Sequence, residues 1–94
     1  MDAATTLLTR KVRIRNERGL HARAAAKLVQ TLSDFDTELA VEKDGMTVSG
    51  RSIMGLMMLA AGPGSVLVLH ATGPDARAAL AAVAALVRSG FGEA

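Results

Sequence analysis

The sequence predicts an α+β fold of two layers, in which a four-stranded, mainly antiparallel sheet carries three helices on one face in the order β-α-β-β-α-β-α. Three observations predict it. Segments that alternate apolar and polar residues are interleaved with segments of helical spacing, Asp44-Gly45 is a strong two-residue hairpin signal, and 94 residues are enough for one small domain. The alternation also indicates that helices cover one face of the sheet while the other face meets water.

The first half of the chain contains three strands and one helix. Branched apolar residues alternate with basic ones over residues 10–16, which predicts a half-buried strand with a basic outer face. Apolar residues at helical spacing predict the first helix over residues 22–33. Residues 37–43 and 46–49 flank the hairpin signal and are expected to pair as the second and third strands.

The second half contains a short helix, a strand and a long helix. Residues 53–60 are apolar but interrupted by glycine, which favours a two-turn helix over a strand. Alternation predicts the fourth strand over residues 65–71, with His70 on the open face and no role for it. The last helix is alanine-rich. It is predicted to begin with Pro74 in its first turn and to stop at Gly90.

Residues 1–8 and residues 52–74 are the two segments to consider as a signal peptide or a membrane span. Residues 1–8 are expected to form a flexible leader, with Leu8 at the border of the first strand, so that one domain spans residues 9–94. The leader carries an early acid and is unlike a signal peptide. Residues 52–74 lack charges, but Gly62-Pro63-Gly64 interrupts them well short of a membrane span. We expect a cytoplasmic monomer with no membrane insertion.

Composition excludes several kinds of site. The chain has no cysteine, which rules out disulfides and thiolate metal sites, and it has no tryptophan or tyrosine on which bases could stack. Two histidines and nine scattered carboxylates argue against a structural metal cluster. We therefore expect neither a metal nor a cofactor.

Positive charge is concentrated in one region of the chain. Residues 10–27 carry seven basic side chains and a single acid, Glu17. The usual interpretation of such a run is a solvated face. The alternative is a docking surface for phosphate or for an acidic partner.

The segment Gly19-Leu20-His21-Ala22-Arg23 lies where the first strand gives way to the first helix. Free N–H groups and the dipole at a helix start favour an anion and a neutral, nucleophilic histidine ring. Arg23 could add a charge-assisted contact to phosphate, and Gly19 permits a tight turn that exposes the ring. These residue types suit a transient phosphohistidine, although a surface histidine without function is the commoner situation.

This motif resembles the active-site motif of the HPr phosphocarrier family of the phosphoenolpyruvate-dependent phosphotransferase system. A second segment, Arg51-Ser52-Ile53-Met54-Gly55-Leu56-Met57, is similar to the regulatory serine segment of that family. The resemblance covers about residues 9–90. The carboxy-terminal segment Leu86-Val87-Arg88-Ser89-Gly90-Phe91 and the run Met57-Met58-Leu59 look closer to the nitrogen-related branch. The family motif continues with proline where this chain has Ala24, which lacks the fixed φ of proline and keeps an N–H group beside the anion site.

The resemblance implies the roles of individual residues. His21 would be phosphorylated on Nδ1 by enzyme I and would pass the phosphoryl group to a histidine of a IIA-type protein, while Arg23 steadies the phosphate. The protein would be a carrier intermediate in a phosphotransferase chain rather than a stand-alone enzyme. Ser52 would be the target of an HPr kinase/phosphorylase.

Ser52 and the residues after it also have structural interpretations. A serine before a short helix is usually its N-cap, which is compatible with phosphorylation. Ile53, Met54, Met57 and Met58 cannot all face the core of two turns, so we expect two of them to fill the core. The others would form an exposed apolar patch beside His21, and the resemblance favours Ile53, Met54 and Met57 as partner contacts.

Two other functions remain open on the sequence. One is a basic α/β module that binds nucleic acid through residues 10–27, which the lack of aromatic residues and of RNA- or DNA-binding motifs disfavours. The other is a regulatory protein that is phosphorylated and docks onto enzymes or transporters without passing the phosphoryl group on.

Overall fold

A computed structural model describes residues 7–93 of the chain and confirms the predicted class and element order. The elements are β1 (Leu8–Arg13), α1 (Ala22–Leu32), β2 (Glu38–Lys43), β3 (Met46–Ser49), α2 (Ile53–Met58), β4 (Val66–Thr72) and α3 (Ala76–Arg88), followed by a 3₁₀ turn (Gly90–Gly92).

The four strands form one antiparallel sheet in the order β1-β4-β2-β3. β4 therefore lies between the first two strands in sequence, with Ala71 opposite both Leu8 and Leu39. β1 and β3 are the edges. The hairpin predicted at Asp44-Gly45 joins β2 to β3.

The core lies between the sheet and the helices on one of its faces. The predicted alternation in β4 is confirmed, because Leu67, Leu69 and Ala71 are fully buried. On the open face of the sheet, Nε2 of His70 lies 2.9 Å from Glu42 Oε1, and its Nδ1 lies 3.3 Å from Thr9 Oγ1.

The first strand is displaced relative to the prediction of residues 10–16. It begins at Leu8, which pairs with Ala71, and its ladder ends at Arg13. Ile14 still exchanges backbone hydrogen bonds with the loop before β4, and its side chain is buried, but the chain then turns toward α1. Leu8 thus belongs to the sheet, and residues 1–6 lie outside the described part.

The start of α3 differs from the prediction as well. Pro74 precedes the N-cap residue Asp75 and is not in the first helical turn. Asp75 pairs instead with Asp36. The side-chain Oδ2 of Asp75 accepts a hydrogen bond of 2.7 Å from the backbone N–H of Asp36, and the backbone N–H of Asp75 donates one of 3.0 Å to the backbone carbonyl of Asp36. This reciprocal pair fixes where the helix begins. The stop is as predicted, since Gly90 has a φ of +67° just beyond the helix.

The expectation that two of the four large apolar residues of α2 fill the core is wrong. Exposure runs from 39% for Ile53 to 75% for Met54, and Met57 and Met58 lie between these values. A helix of six residues turns only a narrow face inward, and Leu56 occupies that face. The methionine surface is therefore larger than the sequence suggested.

The turn before α1 requires glycine. Gly19 has a φ of +64°, and a Cβ atom there would lie 2.2 Å from the carbonyl oxygen of Ala61. The neighbouring Leu20 N–H donates to that same oxygen at 2.9 Å. Tight backbone contact thus joins this turn to the loop before β4. No helix within residues 7–93 has the length and apolar character needed to cross a membrane.

Replacing Gly19 by alanine should lower the free energy of unfolding by more than about 2 kcal/mol, because a left-handed φ and a backbone clash add together. Gly45→Ala is the matched control. Its φ is +85°, but nothing lies within 4 Å of the added Cβ, so only the conformational cost of about 1 kcal/mol applies. Urea denaturation measures both. Equal losses would show that the contact with Ala61 adds nothing.

Candidate functional site

His21 is the N-cap residue of α1, with the extended backbone angles φ −75° and ψ 179°. The preceding Leu20 is buried and tied to Ala61, so the chain reaches the helix in a fixed direction. The histidine side chain keeps 17% of its surface exposed. The ring is therefore held by the fold yet open to a partner.

The first turn of α1 provides backbone donors. The first helical hydrogen bond runs from the N–H of Ala25 to the carbonyl of His21 at 2.8 Å. The N–H groups of the three residues between them have no acceptor within the helix. Ala22 and Arg23 are exposed, whereas Ala24 is buried in the core. The exposed start of the helix favours an anion through its N–H groups and its dipole.

A carboxylate that the sequence analysis missed contacts the histidine ring. Nε2 of His21 is hydrogen-bonded to Oε2 of Glu93. The other carboxylate oxygen accepts a hydrogen bond of 3.1 Å from Nδ2 of Asn16. Asn16 is itself buried and donates to the carbonyl of Gly19 at 2.8 Å. One amide therefore links the carboxylate to the turn that carries the histidine.

The segment after α3 brings Glu93 to the site. Gly90, Phe91 and Gly92 have φ values of +67°, +57° and +72°. Three consecutive left-handed residues are unusual, above all at Phe91, because such a φ is uncommon for residues other than glycine. The Phe91 side chain is fully buried, and its carbonyl accepts a hydrogen bond of 2.5 Å from Nζ of Lys27. Burial and this bond hold the turn in place. We call residues 89–93 the C-terminal strap.

The surroundings of His21 are strongly basic. A cleft of about 680 Å³ has basic side chains from three parts of the chain, namely Arg15, Arg18, Arg23, Lys27 and Arg88. Its acids are Glu17 and Glu93. Among the residues described, none of the four arginines has a carboxylate partner. Basic side chains therefore outnumber acidic ones in the described lining of the cleft, and its net positive charge attracts anions.

The structure brings together some of the predicted site residues. Arg23 lies in the cleft with His21, and its guanidinium has no hydrogen bond to any part of residues 7–93. Met57 lines a second depression, of about 290 Å³, together with His21 and Arg18. Ile53, Met54 and Ser52 line neither depression, although they belong to the same short helix or to its cap.

Ser52 has the structural role that the sequence suggested. It is the N-cap of α2, and its Oγ accepts a hydrogen bond of 2.9 Å from the N–H of Gly55. The preceding Arg51 donates to the carbonyls of Leu32, Phe35 and Thr37, which closes the end of α1. The serine hydroxyl thus lies on a well-fixed backbone. Within residues 7–93 there is no group of three histidine or acidic side chains that could bind a metal.

Comparison with known proteins gives one consistent result. The family described as "PTS HPr component phosphorylation site" matches residues 8–89. The chain is 46% identical to the phosphocarrier protein HPr of Cupriavidus necator over 87 residues, or 93% of this chain and 98% of that one. It is also 46% identical over 89 residues to the phosphocarrier protein NPr of Shewanella violacea, covering 95% of this chain and 98% of the relative. The NPr match fits the nitrogen-related branch.

A solved structure of the same family has a similar fold. The crystal structure of HPr-C-His from Thermoanaerobacter tengcongensis superposes with a TM-score of 0.87 at 44% identity. The superposition covers 93% of this chain and 98% of that chain.

The contact between the strap and His21 should depend on pH through Glu93. The hydrogen bond with His21, and secondarily that from Asn16, holds the pKa of Glu93 below its ordinary value of 4.5. Because the folded pKa is the lower one, the contact stabilises the fold above the ordinary value, and this stabilisation is lost as pH falls through the lowered pKa. Carbon-13 NMR titration of the side-chain carboxyl, folded and in urea, measures the difference. Equal pKa values would contradict the contact.

Proposed function

Because this chain belongs to the HPr phosphocarrier family of the phosphotransferase system, we propose that His21 accepts a phosphoryl group from phospho-enzyme I and passes it to a histidine of a IIA-type protein. The observation that carries the proposal is the placement of the His21 ring at the start of α1, inside a cleft whose arginines have no carboxylate partner among residues 7–93. We further propose that the protein acts as a monomer, in the cytoplasm.

The transfer is a nucleophilic displacement at phosphorus. The lone pair of Nδ1 forms a bond to phosphorus while the bond from phosphorus to the donor breaks, and the electron pair of that bond stays with the donor. Passing the group on reverses the roles, with Nδ1 as the leaving atom and the acceptor's ring nitrogen as the nucleophile. This chain keeps no phosphoryl group at the end of a cycle, which makes it a carrier.

The residues around His21 support both transfers by stabilising negative charge. The phosphoryl oxygens would lie near the exposed N–H groups of Ala22 and Arg23, where the helix dipole favours an anion. The guanidinium of Arg23, which has no hydrogen-bond partner within residues 7–93, can donate two parallel hydrogen bonds to such an anion. Because the helix already orients its backbone N–H groups, these donors need little reorganisation when the charge arrives.

The apolar surface of α2 is proposed to dock enzyme I and the acceptor. Ile53, Met54 and Met57 are exposed, and Met57 lines the same depression as His21, so a partner seated on this helix would lie close to the histidine. Flexible methionines adapt to partners of different shape. A carrier needs brief contacts, for which a small interface suffices.

Ser52 is proposed as the regulatory site, phosphorylated by an HPr kinase/phosphorylase. The hydroxyl lies at the start of the docking helix, on a backbone fixed by Arg51. A phosphate there adds about two negative charges, which the helix start tolerates. The consequence would be repulsion of an acidic partner rather than unfolding.

Phosphorylation by enzyme I should require His21 and should not require His70. Incubation with a matching enzyme I and phosphoenolpyruvate should add one acid-labile, base-stable phosphoryl group, which His21→Ala removes. His70→Ala is the matched control, because His70 lies on the open face of the sheet and is engaged by Glu42 and Thr9. Phosphorus-31 NMR and intact mass record the modification. Label that persists in His21→Ala would refute the assignment.

A negative charge on α2 should weaken docking without unfolding the chain. Ser52→Asp and Met54→Glu should each raise the apparent KM for this protein as a substrate of enzyme I. Added salt should rescue the first more than the second, since screening weakens charge repulsion but does not restore an apolar contact.

Met46→Glu is the control for this experiment, because Met46 is 47% exposed on β3 and lies outside the docking helix. Titrations at two ionic strengths give KM, and circular dichroism checks the fold. If Ser52→Asp and Met54→Glu behave like Met46→Glu, the docking surface lies elsewhere.

A further inference from the structure

A carboxylate facing one nitrogen of the His21 ring determines which nitrogen is free. An ionised carboxylate only accepts hydrogen bonds, and a neutral imidazole has a single N–H group. Since Oε2 of Glu93 faces Nε2, the neutral ring must carry its proton on Nε2 to make this bond. The lone pair is then on Nδ1, the atom that attacks phosphorus in the proposed function.

The carboxylate is itself held in an ionised and fixed state. Asn16 donates to its second oxygen and simultaneously to the carbonyl of Gly19. These contacts favour the charged form, in agreement with the lowered pKa of Glu93. The strap behind it is anchored by the buried Phe91 ring and by Lys27. Such anchoring makes a carboxylate near the end of the chain a reliable partner for the ring.

The same carboxylate has a second effect during transfer. When the Nδ1 lone pair bonds to phosphorus, the ring keeps its Nε2 proton and gains a positive charge. A carboxylate that accepts a hydrogen bond from that N–H stabilises the charge. In the onward transfer the proton stays on Nε2, so the departing ring leaves as neutral imidazole, which is a better leaving group than its anion.

We infer that Glu93 is a positioning residue, which holds His21 as the Nε2–H tautomer and stabilises the charge that the ring gains in phosphoryl transfer. The inference rests on the proposed function for its second half only. Its first half concerns the unphosphorylated protein and is measurable without any partner.

The decisive measurement is the tautomer of His21 by long-range ¹⁵N–¹H NMR, at a pH where the ring is neutral. The parent should show protonated Nε2 and unprotonated Nδ1, and Glu93→Ala should shift a substantial fraction to the other tautomer. Glu17→Ala is the matched control. It removes the same charge from the same cleft without touching the ring, so the tautomer should stay as in the parent. The same spectra report whether each variant is folded.

Kinetics with enzyme I supply the second readout. Glu93→Ala should lower kcat for phosphorylation of His21 by about tenfold, since one hydrogen bond to a charged group is lost. The KM should not change, because the contact lies within this chain. An unchanged tautomer in Glu93→Ala would overturn the inference, and so would an unchanged kcat. Failure of enzyme I to phosphorylate the parent would instead refute the proposed function and leave the tautomer result standing.

Discussion

The close approach of two backbone segments, the turn before α1 and the loop before β4, determines where His21 lies. Gly19 has no side chain to keep the segments apart, and Leu20 donates its N–H to the carbonyl of Ala61. Just upstream, Ile14 exchanges hydrogen bonds with Gly64 and Ser65, extending the pairing of β1 with β4. The sheet thus positions the start of α1. His21 is held in place as well, because it directly follows Leu20, the residue hydrogen-bonded to Ala61.

The distribution of charge follows from the same arrangement. The basic run ends β1, crosses the turn and enters α1, while Arg88 at the end of α3 adds a cation from the other side of the cleft. Repulsion among these groups costs folding free energy that the apolar core must offset. In return, an anionic partner gains attraction over the whole cleft. β1 is also an edge strand, and its basic outer face discourages the addition of a further strand.

Much of the fold was predictable because its signals are local. The hairpin at Asp44-Gly45, the alternation in β4 and the helix stop at Gly90 each depend on a few neighbouring residues. The boundaries of β1 and α3 were predicted less accurately, since they depend on partners elsewhere in the chain. The backbone of Asp36, which is hydrogen-bonded to Asp75, is one such partner. The orientation of α2 was also missed, because rotation of a short helix is set by what it packs against.

The candidate site divides in the same way. His21 and Arg23 lie in one short motif, and a helix start is visible in the sequence. Glu93 is 72 positions from its partner, and a single acid near a chain end carries no periodic signal. The flanking glycines of Phe91 were the available clue, since a glycine-aromatic-glycine run after a helix indicates an unusual turn. Asn16 offered no comparable clue.

The geometry of the C-terminal strap makes the position of the Glu93 carboxylate sensitive to insertion or deletion of a residue after Phe91. Between the buried Phe91 and the ring contact there is a single residue, Gly92, with a left-handed backbone. One residue more or less would move the carboxylate by about 3 Å, the span of one residue, which exceeds the tolerance of a hydrogen bond. A purification tag or fusion partner inserted directly after Glu93 would begin within a few residues of the reacting nitrogen. Fusions placed before β1 would begin at the opposite end of the first strand from the turn that carries His21.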